Sequence, residues 1–492
     1  MSIRLSLANL DRIAGKAAIP AYRRDSLSPG IVHFGVGNFH RAHQAVYLDD
    51  LFNTGRDHDW ALIGAGVLPS DEAMREKLEA QDWLTTVVEQ DNAVSAARVT
   101  GAMIGFLSPA DKAAIVRQMA DPAIRIVSMT ITEGGYFVNP AKGVFDPTYP
   151  EIIHDGRNPD DPRTVFGLIV AALKARQAAG IVPFTVMSCD NIPGNGEVAR
   201  DAVAGIADLA DIDLGKWVRD SVAFPNAMVD RITPATGARE LKIAAEEFGI
   251  DDNFPVFCEE FRQWVLEDHF SAGRPAFEAV GVTMTKDVEP YERMKIRILN
   301  GGHAIIAYPA GLMDIHFVHE AMQEPLIVEF LEKVETDEII PIVPPVPDTD
   351  LYVYFAQIKR RFANPKIGDT VRRLCLDGSN RQPKFILPST ADRLRQGLPV
   401  TGLALESALW CRYCYGVTDS GREIAPNDPN WDRLQRHARK AKDDPLAFLA
   451  MDDIFGDVGR SETFRRAFAH SLKTLWEVGT EETLKRYLSD KL

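Results

Sequence analysis

At 492 residues the chain is too long for one ordinary hydrophobic core, so two domains are expected. Its 46% hydrophobic and 25% charged residues exclude a disordered or fibrous protein. A formal net charge of −15 sets the surface against phosphate backbones and anionic lipid, which argues against nucleic acid or a membrane as partner.

The opening segment, MSIRLSLANLDRIAGKAAIP, has no apolar run of signal-peptide length. No stretch approaches the roughly 20 apolar residues that span a bilayer, so a cytoplasmic location is expected. Strands are predicted over 30–36 (GIVHFGV), 60–64, 124–132 (IRIVSMTIT) and 182–188 (VPFTVMS), with helices over 42–51, 70–81 and 164–179. Such alternation predicts a parallel sheet covered on both faces. From about residue 290 helical patterns dominate: 291–312, 320–335, 350–362, 401–415 and 461–478. The proline-rich IIPIVPPVPDTD (339–350) reads as a loop or extended connection. The change of pattern predicts an α/β Rossmann-type dinucleotide-binding domain over 1–285 and a mainly α-helical substrate and catalytic domain over 286–492.

Five scattered cysteines suggest no disulfide framework. Cys411 and Cys414 form a C-x-x-C in ALWCRYCYG. Two small residues on a buried helix is preferred to a redox or zinc site, because no second Cys or His pair lies at zinc spacing.

After the first strand comes Gly35-Val36-Gly37-Asn38-Phe39-His40-Arg41, then a helical pattern. A strand, a glycine turn and a helix can seat a pyrophosphate on free backbone N–H groups. Gly35 suits the tight turn, Gly37 admits close approach, and Arg41 can add a charge-assisted contact. With Asn38 and Phe39 these are the cofactor-binding candidates. Position 40 is His, so the third glycine of the usual motif is missing. His40 and His43 lack accompanying carboxylates, and no metal is expected. Beyond the second strand, Asp71 or Glu72 can bond a ribose hydroxyl and favour NAD over NADP. Equally, Ser70 or Asp71 can cap the next helix.

Three segments gather polar residues in apolar surroundings. SCDNIPGNG follows the fourth strand, where ligands bind in open α/β sheets, and Asn191 there can donate to a bound oxygen or shape an Asx-turn. In FPNAMVDRITP, Asp230 can pair with Arg231, orient a neighbouring cation or hold a substrate hydroxyl. YERMKIRILNGGHA reads as a buried helix. Helical periodicity sets Lys295, Glu292, His303 and Asn300 at about 0°, 60°, 80° and 140°, within one arc. Polar groups there are costly unless they meet partners or a cavity. Gly301 and Gly302 would cost the helix about 1 kcal/mol each relative to Ala, a cost that close approach by a backbone or ligand would explain. Oxidising a secondary alcohol needs a base for the hydroxyl proton, and a lysine serves when desolvation favours its neutral amine. Lys295 is that candidate, Asn191 and Asn300 are candidate donors to the alkoxide, and His303 can position a second hydroxyl or assist the base.

In GVGNFHRAHQ, TITEGGY, TVMSCDNIPGNG, FPNAMVDRITP, PYERMKIRILNGGHA and DGSNRQPKF the sequence resembles the polyol-specific long-chain dehydrogenase/reductase family, essentially from end to end. The resemblance implies NAD-dependent, metal-independent oxidation of a sugar alcohol to its ketose, D-mannitol to D-fructose foremost. It implies Lys295 as general base, Asn191 and Asn300 as oxyanion hole, and His303 at the substrate. It implies Glu292 on a proton path to solvent, and Glu133, in the matching TITEGGY loop, at the cofactor. Arg373 matches a residue that binds outer substrate hydroxyls, with Arg372 beside it, and Asp230 matches a position near the lysine and histidine. Positions 68 and 69 are Leu and Pro where some members carry charges, which bears on the choice of NAD over NADP. The implied partner is a small polyol or ketose, and the implied assembly a monomer or weak oligomer. Fructuronate reductase and D-arabinitol dehydrogenase of the same family are the alternatives, and a non-catalytic dinucleotide sensor is the rival from another class.

Overall fold

A computed structural model of the chain describes residues 2–91, 93–139 and 143–492. The chain divides into two compact units, Met1–Glu289 and Pro290–Leu492.

The first unit is built on five parallel strands: β1 (Pro29–Phe34), β2 (Ala61–Ala65), β3 (Met103–Phe106), β4 (Ile126–Met129) and β5 (Thr185–Ser188). Their order is β3-β2-β1-β4-β5, with Val32 opposite Ile63 on one side and Val127 on the other. Successive side chains alternate between faces. Ile31, Leu62 and Ile126 join one apolar layer, while Val32, Phe34, Val127 and Met129 join the other. Both faces are therefore covered, as a parallel sheet requires. Helix Val165–Ala179 covers one of them through Phe166, Ile169 and Leu173. Thr164 caps its start by accepting the Gly167 N–H at 2.9 Å, and Gly180 at φ +66° ends it.

Four of the five strands match the apolar runs expected from sequence. Strand β3 was not anticipated: MIGF is short and contains Gly105, so it reads as a loop. The unit also holds two three-stranded sheets. Thr85–Gln90 lies between Val256–Glu259 and Ser95–Thr100, and Gln263–Glu267 lies between Ala227–Asp230 and Thr283–Thr285.

The second unit is helical. A continuous helical run covers Glu289–Met294, Lys295–Asn300 and Gly301–Leu312, its middle piece wound as a π-helix. The single helix expected over 320–335 is instead Val318–Ala321 and Pro325–Val334, because Pro325 can open a helix but not continue one. Segment 339–350 begins at the end of a second π-helix, Glu335–Ile339, and continues through a 3₁₀ turn, Ile340–Ile342, and a bridge between Val346 and Thr349. The last helix runs beyond the expected end at 478 to Leu488, turning at Gly479 (φ +80°). It packs against Thr401–Cys414, a helix buried on nearly every side. Cys411 and Cys414 lie on that helix as buried free thiols. Among the described residues no helix is long and apolar enough to cross a membrane.

Candidate active site

The glycine turn leaves β1 and leads into α1 (Asn38–Ala42) and α2 (Gln44–Asn53). Gly35 has φ +87°, and a Cβ there would lie 2.0 Å from the Thr130 carbonyl oxygen, so only glycine fits. Over Gly37 the nearest atom to an added Cβ is the Gly35 oxygen, 3.9 Å away. No side chain caps α1, so its first amide groups keep their donor capacity. An open cradle of uncapped N–H groups fits a dinucleotide pyrophosphate.

The side chains around the turn serve its shape. The Asn38 carboxamide donates to the Pro234 carbonyl and Thr236 Oγ1, both at 2.9 Å, and accepts from Arg41 at 2.9 Å. Arg41 is 1% exposed and also donates to the Phe254 carbonyl. Its guanidinium thus ties the turn to Asn38 and to the backbone at Phe254. Phe39 stacks on His43, whose Nε2 lies 2.9 Å from the Gln263 carbonyl, while His40 stacks on His33 at 3.5 Å. The two candidate histidines thus engage different neighbours. Among the described residues no group of three or more His, Cys, Asp or Glu side chains is placed to hold a metal.

Asp71 accepts the N–H groups of Val67 and Leu68 through Oδ2, both at 2.8 Å, closing the loop after β2. Glu72 is held by Arg75 at 2.7 Å and Ser108 at 2.9 Å. Of the two acids, Asp71 is the one facing the loop.

At the carboxyl ends of β4 and β5, residues 130–136 and 188–195 come together. Asp190, 8% exposed, accepts the Thr132 N–H at 2.9 Å on one oxygen. Its other oxygen accepts the Ile131 N–H at 3.0 Å and the Tyr136 hydroxyl at 2.6 Å. Tyr136 also meets Ser188 Oγ at 2.6 Å. Thr132 has φ +66° and ψ 162°, a region nearly reserved for glycine that costs about 1–3 kcal/mol. Glu133 opens the exposed 3₁₀ turn that follows, and Asn191 follows Asp190. Sequence reasoning assigned nothing to Asp190. The one signal, an acid beside the candidate oxyanion donor, does not reveal its partners 54–59 residues away.

Asp230 ends the strand Ala227–Asp230 and is buried. Arg231 binds Glu89 at 2.6 Å and donates to the carbonyls of Ala42 and Glu259.

In the second unit Lys295 is 9% exposed and opens the π-helix that Asn300 closes. The Gly301 N–H reaches back five residues to the Ile296 carbonyl. Winding with i→i+5 bonds sets more residues in each turn, so the α-helical angles expected for this stretch do not apply. Added Cβ atoms at Gly301 and Gly302 would meet nothing nearer than 3.7 and 3.4 Å, so the protein's own packing does not demand these glycines.

His303 stacks on Phe362 at 4.1 Å, and its Nε2 has no hydrogen-bond partner. Burial first, then the charges of Arg373, Arg361 and Arg381, hold its pKa well below 6.5, so the ring is neutral at neutral pH. Arg372 is engaged by the carbonyls of Ala425 and Pro426. Arg373 forms a two-pronged pair with Asp369, and its side chain stays 47% exposed. Glu292 lies on the same helix, half-buried, one turn before Lys295.

An all-parallel sheet in this order with an uncapped glycine turn after its first strand defines a Rossmann-type dinucleotide-binding unit, here joined to a helical unit with a π-wound lysine helix. The mannitol dehydrogenase Rossmann domain model matches residues 29–279 and the mannitol dehydrogenase C-terminal domain model matches residues 287–476. The chain belongs to the mannitol dehydrogenase family. It is 60% identical over 471 residues to mannitol 2-dehydrogenase of Cereibacter sphaeroides, covering 96% of this chain and 98% of that one. It is 40% identical to mannitol 2-dehydrogenase of Aspergillus fumigatus over 99% of both chains. Its structure resembles a ternary complex of Pseudomonas fluorescens mannitol 2-dehydrogenase with NAD and D-mannitol, with a TM-score of 0.88, 42% identity, and coverage of 99% of this chain and 100% of that one. A substrate-free D-sorbitol dehydrogenase gives a TM-score of 0.91 at 34% identity, covering 98% of this chain and 100% of that one.

Proposed function

We propose that the chain is an NAD-dependent polyol dehydrogenase that oxidises D-mannitol to D-fructose. The observation that carries this is the end-to-end likeness to the Pseudomonas fluorescens enzyme bound to NAD and D-mannitol. Bound NAD supplies the hydride acceptor.

The chain's residues handle the proton and the charge. Lys295 takes the hydroxyl proton as neutral amine, a form that burial favours. Asn191 and Asn300 donate to the alkoxide oxygen that develops. His303, neutral and with Nε2 unengaged, holds a neighbouring hydroxyl. Glu292 passes the proton on toward solvent. Arg373 and Asp230 hold outer hydroxyls or orient the amine. Gly35, Gly37, Asn38 and Phe39 form the pyrophosphate cradle, and Arg41 adds its charge to that site. Asp71, with one oxygen outside its loop contacts, favours a ribose hydroxyl over a 2′-phosphate. Residues 1–285 thus carry the cofactor and 286–492 most of the substrate chemistry.

The likeness to a D-sorbitol dehydrogenase supports a second hexitol as the competing substrate. Steady-state rates on D-mannitol, D-sorbitol, D-arabinitol and D-mannonate, each with NAD and NADP, test the assignment. The expected result is the highest kcat/KM for D-mannitol with NAD. Turnover confined to mannonate would make the chain a fructuronate reductase, and NADH binding without any turnover would make it a sensor.

A further inference from the structure

We propose that Asp190 is a positioning residue: its carboxylate clamps the strained loop 130–136 to the end of β5 and so fixes Asn191 and Glu133 for the reaction. The inference rests on the polyol dehydrogenase reading above. Its geometry lies wholly within the first unit.

The clamp is held at both ends. Asn195, fully buried, donates to the Asp190 carbonyl at 3.0 Å and the Ala227 carbonyl at 2.7 Å, and accepts the Ala227 N–H at 2.9 Å. That ties the Asp190 backbone to the neighbouring strand. The side chain then takes three donors on two oxygens: Ile131 N–H, Thr132 N–H and Tyr136 O–H. One of these amides belongs to Thr132, a β-branched residue whose φ of +66° is sustained only by surrounding contacts. The loop also rests on the glycine turn, where Thr130 Oγ1 donates to the Gly35 carbonyl at 2.7 Å. One carboxylate therefore links the cofactor cradle, the Glu133 turn and the backbone leading into Asn191. A carboxamide in its place offers one acceptor oxygen. Whichever way it turns, the N–H of either Ile131 or Thr132 faces an NH₂ group, and the contacts that sustain the Thr132 φ are weakened.

The test is Asp190→Asn assayed with D-mannitol and NAD. A positioning role lowers kcat about 10- to 100-fold while KM and the NADH dissociation constant move less than about threefold, because the lost alignment matters only in the transition state. Thr132→Gly accepts the loop's φ without strain, so Asp190→Asn/Thr132→Gly regains several-fold in kcat over Asp190→Asn. An unchanged kcat per folded enzyme with a lowered melting temperature overturns the proposal, as does a double variant no faster than Asp190→Asn. If Asp190→Asn does not fold, Tyr136→Phe removes one donor only: a smaller fall in kcat at constant KM supports the clamp, and wild-type kcat overturns it. A wild type that oxidises no polyol strikes the functional reading instead. Amide exchange then decides the clamp: faster exchange at Ile131 and Thr132 in Asp190→Asn supports it, and unchanged exchange refutes it.

Discussion

Lys295 and Asn300 stand five residues apart at the two ends of a π-helix. An α-helix would splay them by about 140°. Winding with i→i+5 bonds departs from that angle and sets the proposed base and the proposed oxyanion donor on one element. Lys295→Ala should therefore lower mannitol oxidation at neutral pH by about 10²–10⁴, the usual worth of a positioned base, with NADH binding intact. Stopped-flow turnover and NADH fluorescence titration on one preparation check this. Near-normal turnover would remove Lys295 from the chemistry.

Asn191→Ala and Asn300→Ala should each cut kcat by about one to three decades, the range for losing one oxyanion donor. Because the interaction forms only as charge develops, kcat and kcat/KM should fall together. A rise in KM at constant kcat would reassign both amides to ground-state substrate binding.

Much of this frame was visible in the residue order. Strong apolar runs announced β1, β2, β4 and β5, and the switch to long helical patterns announced the second unit. Gly35 was legible because the turn's tightness has one chemical solution. The π-helix was not legible, since reading YERMKIRILNGGHA by periodicity presumes 3.6 residues per turn. Ion pairing was equally opaque: Arg231 finds Glu89, 142 residues away. Asp190 was invisible for the same reason, as its worth lies in three donors that only the fold brings to it. Where two local readings competed at Asp71, the loop contacts favoured by its own sequence neighbours formed, and one oxygen remained outside them.

Glu406 gives the second unit a pH dependence of definite sign. Burial raises its pKa to about 8, although Gln382 Nε2 at 2.5 Å and Ser407 Oγ at 3.4 Å hydrogen-bond it. The folded protein thus holds a proton that the unfolded chain releases above about 4.5. This group's contribution is full below 4.5 and is lost as pH rises toward 8, at up to about 1.4 kcal/mol per pH unit. Glu406→Gln keeps an acceptor for Gln382 and cannot ionise. Its stability relative to the wild type should climb from pH 5 to 8 and level off beyond. Urea midpoints at pH 5, 6.5, 8 and 9 measure the gap, and parallel curves would contradict the shift.

Gly35 and Gly37 sit two residues apart in one turn yet should fail in different ways when a methyl is added. At Gly35 the φ of +87° and the Thr130 oxygen 2.0 Å from the new Cβ leave no room, so Gly35→Ala should lose more than about 1–2 kcal/mol of stability and weaken NADH binding with it. At Gly37 the backbone is extended (φ −95°) and the nearest atom is 3.9 Å away, so the protein itself tolerates the methyl. Gly37→Ala should therefore stay within about 1 kcal/mol of wild type, the cost of a poorer residue at the helix start. Its NADH dissociation constant should nevertheless rise about tenfold or more, equivalent to about 1.4 kcal/mol, because the methyl occupies the space a pyrophosphate would fill. Thermal unfolding and NADH titration of the two variants side by side separate the effects. Unaltered NADH affinity in Gly37→Ala would mean that the cradle over α1 is not where the cofactor's phosphates lie.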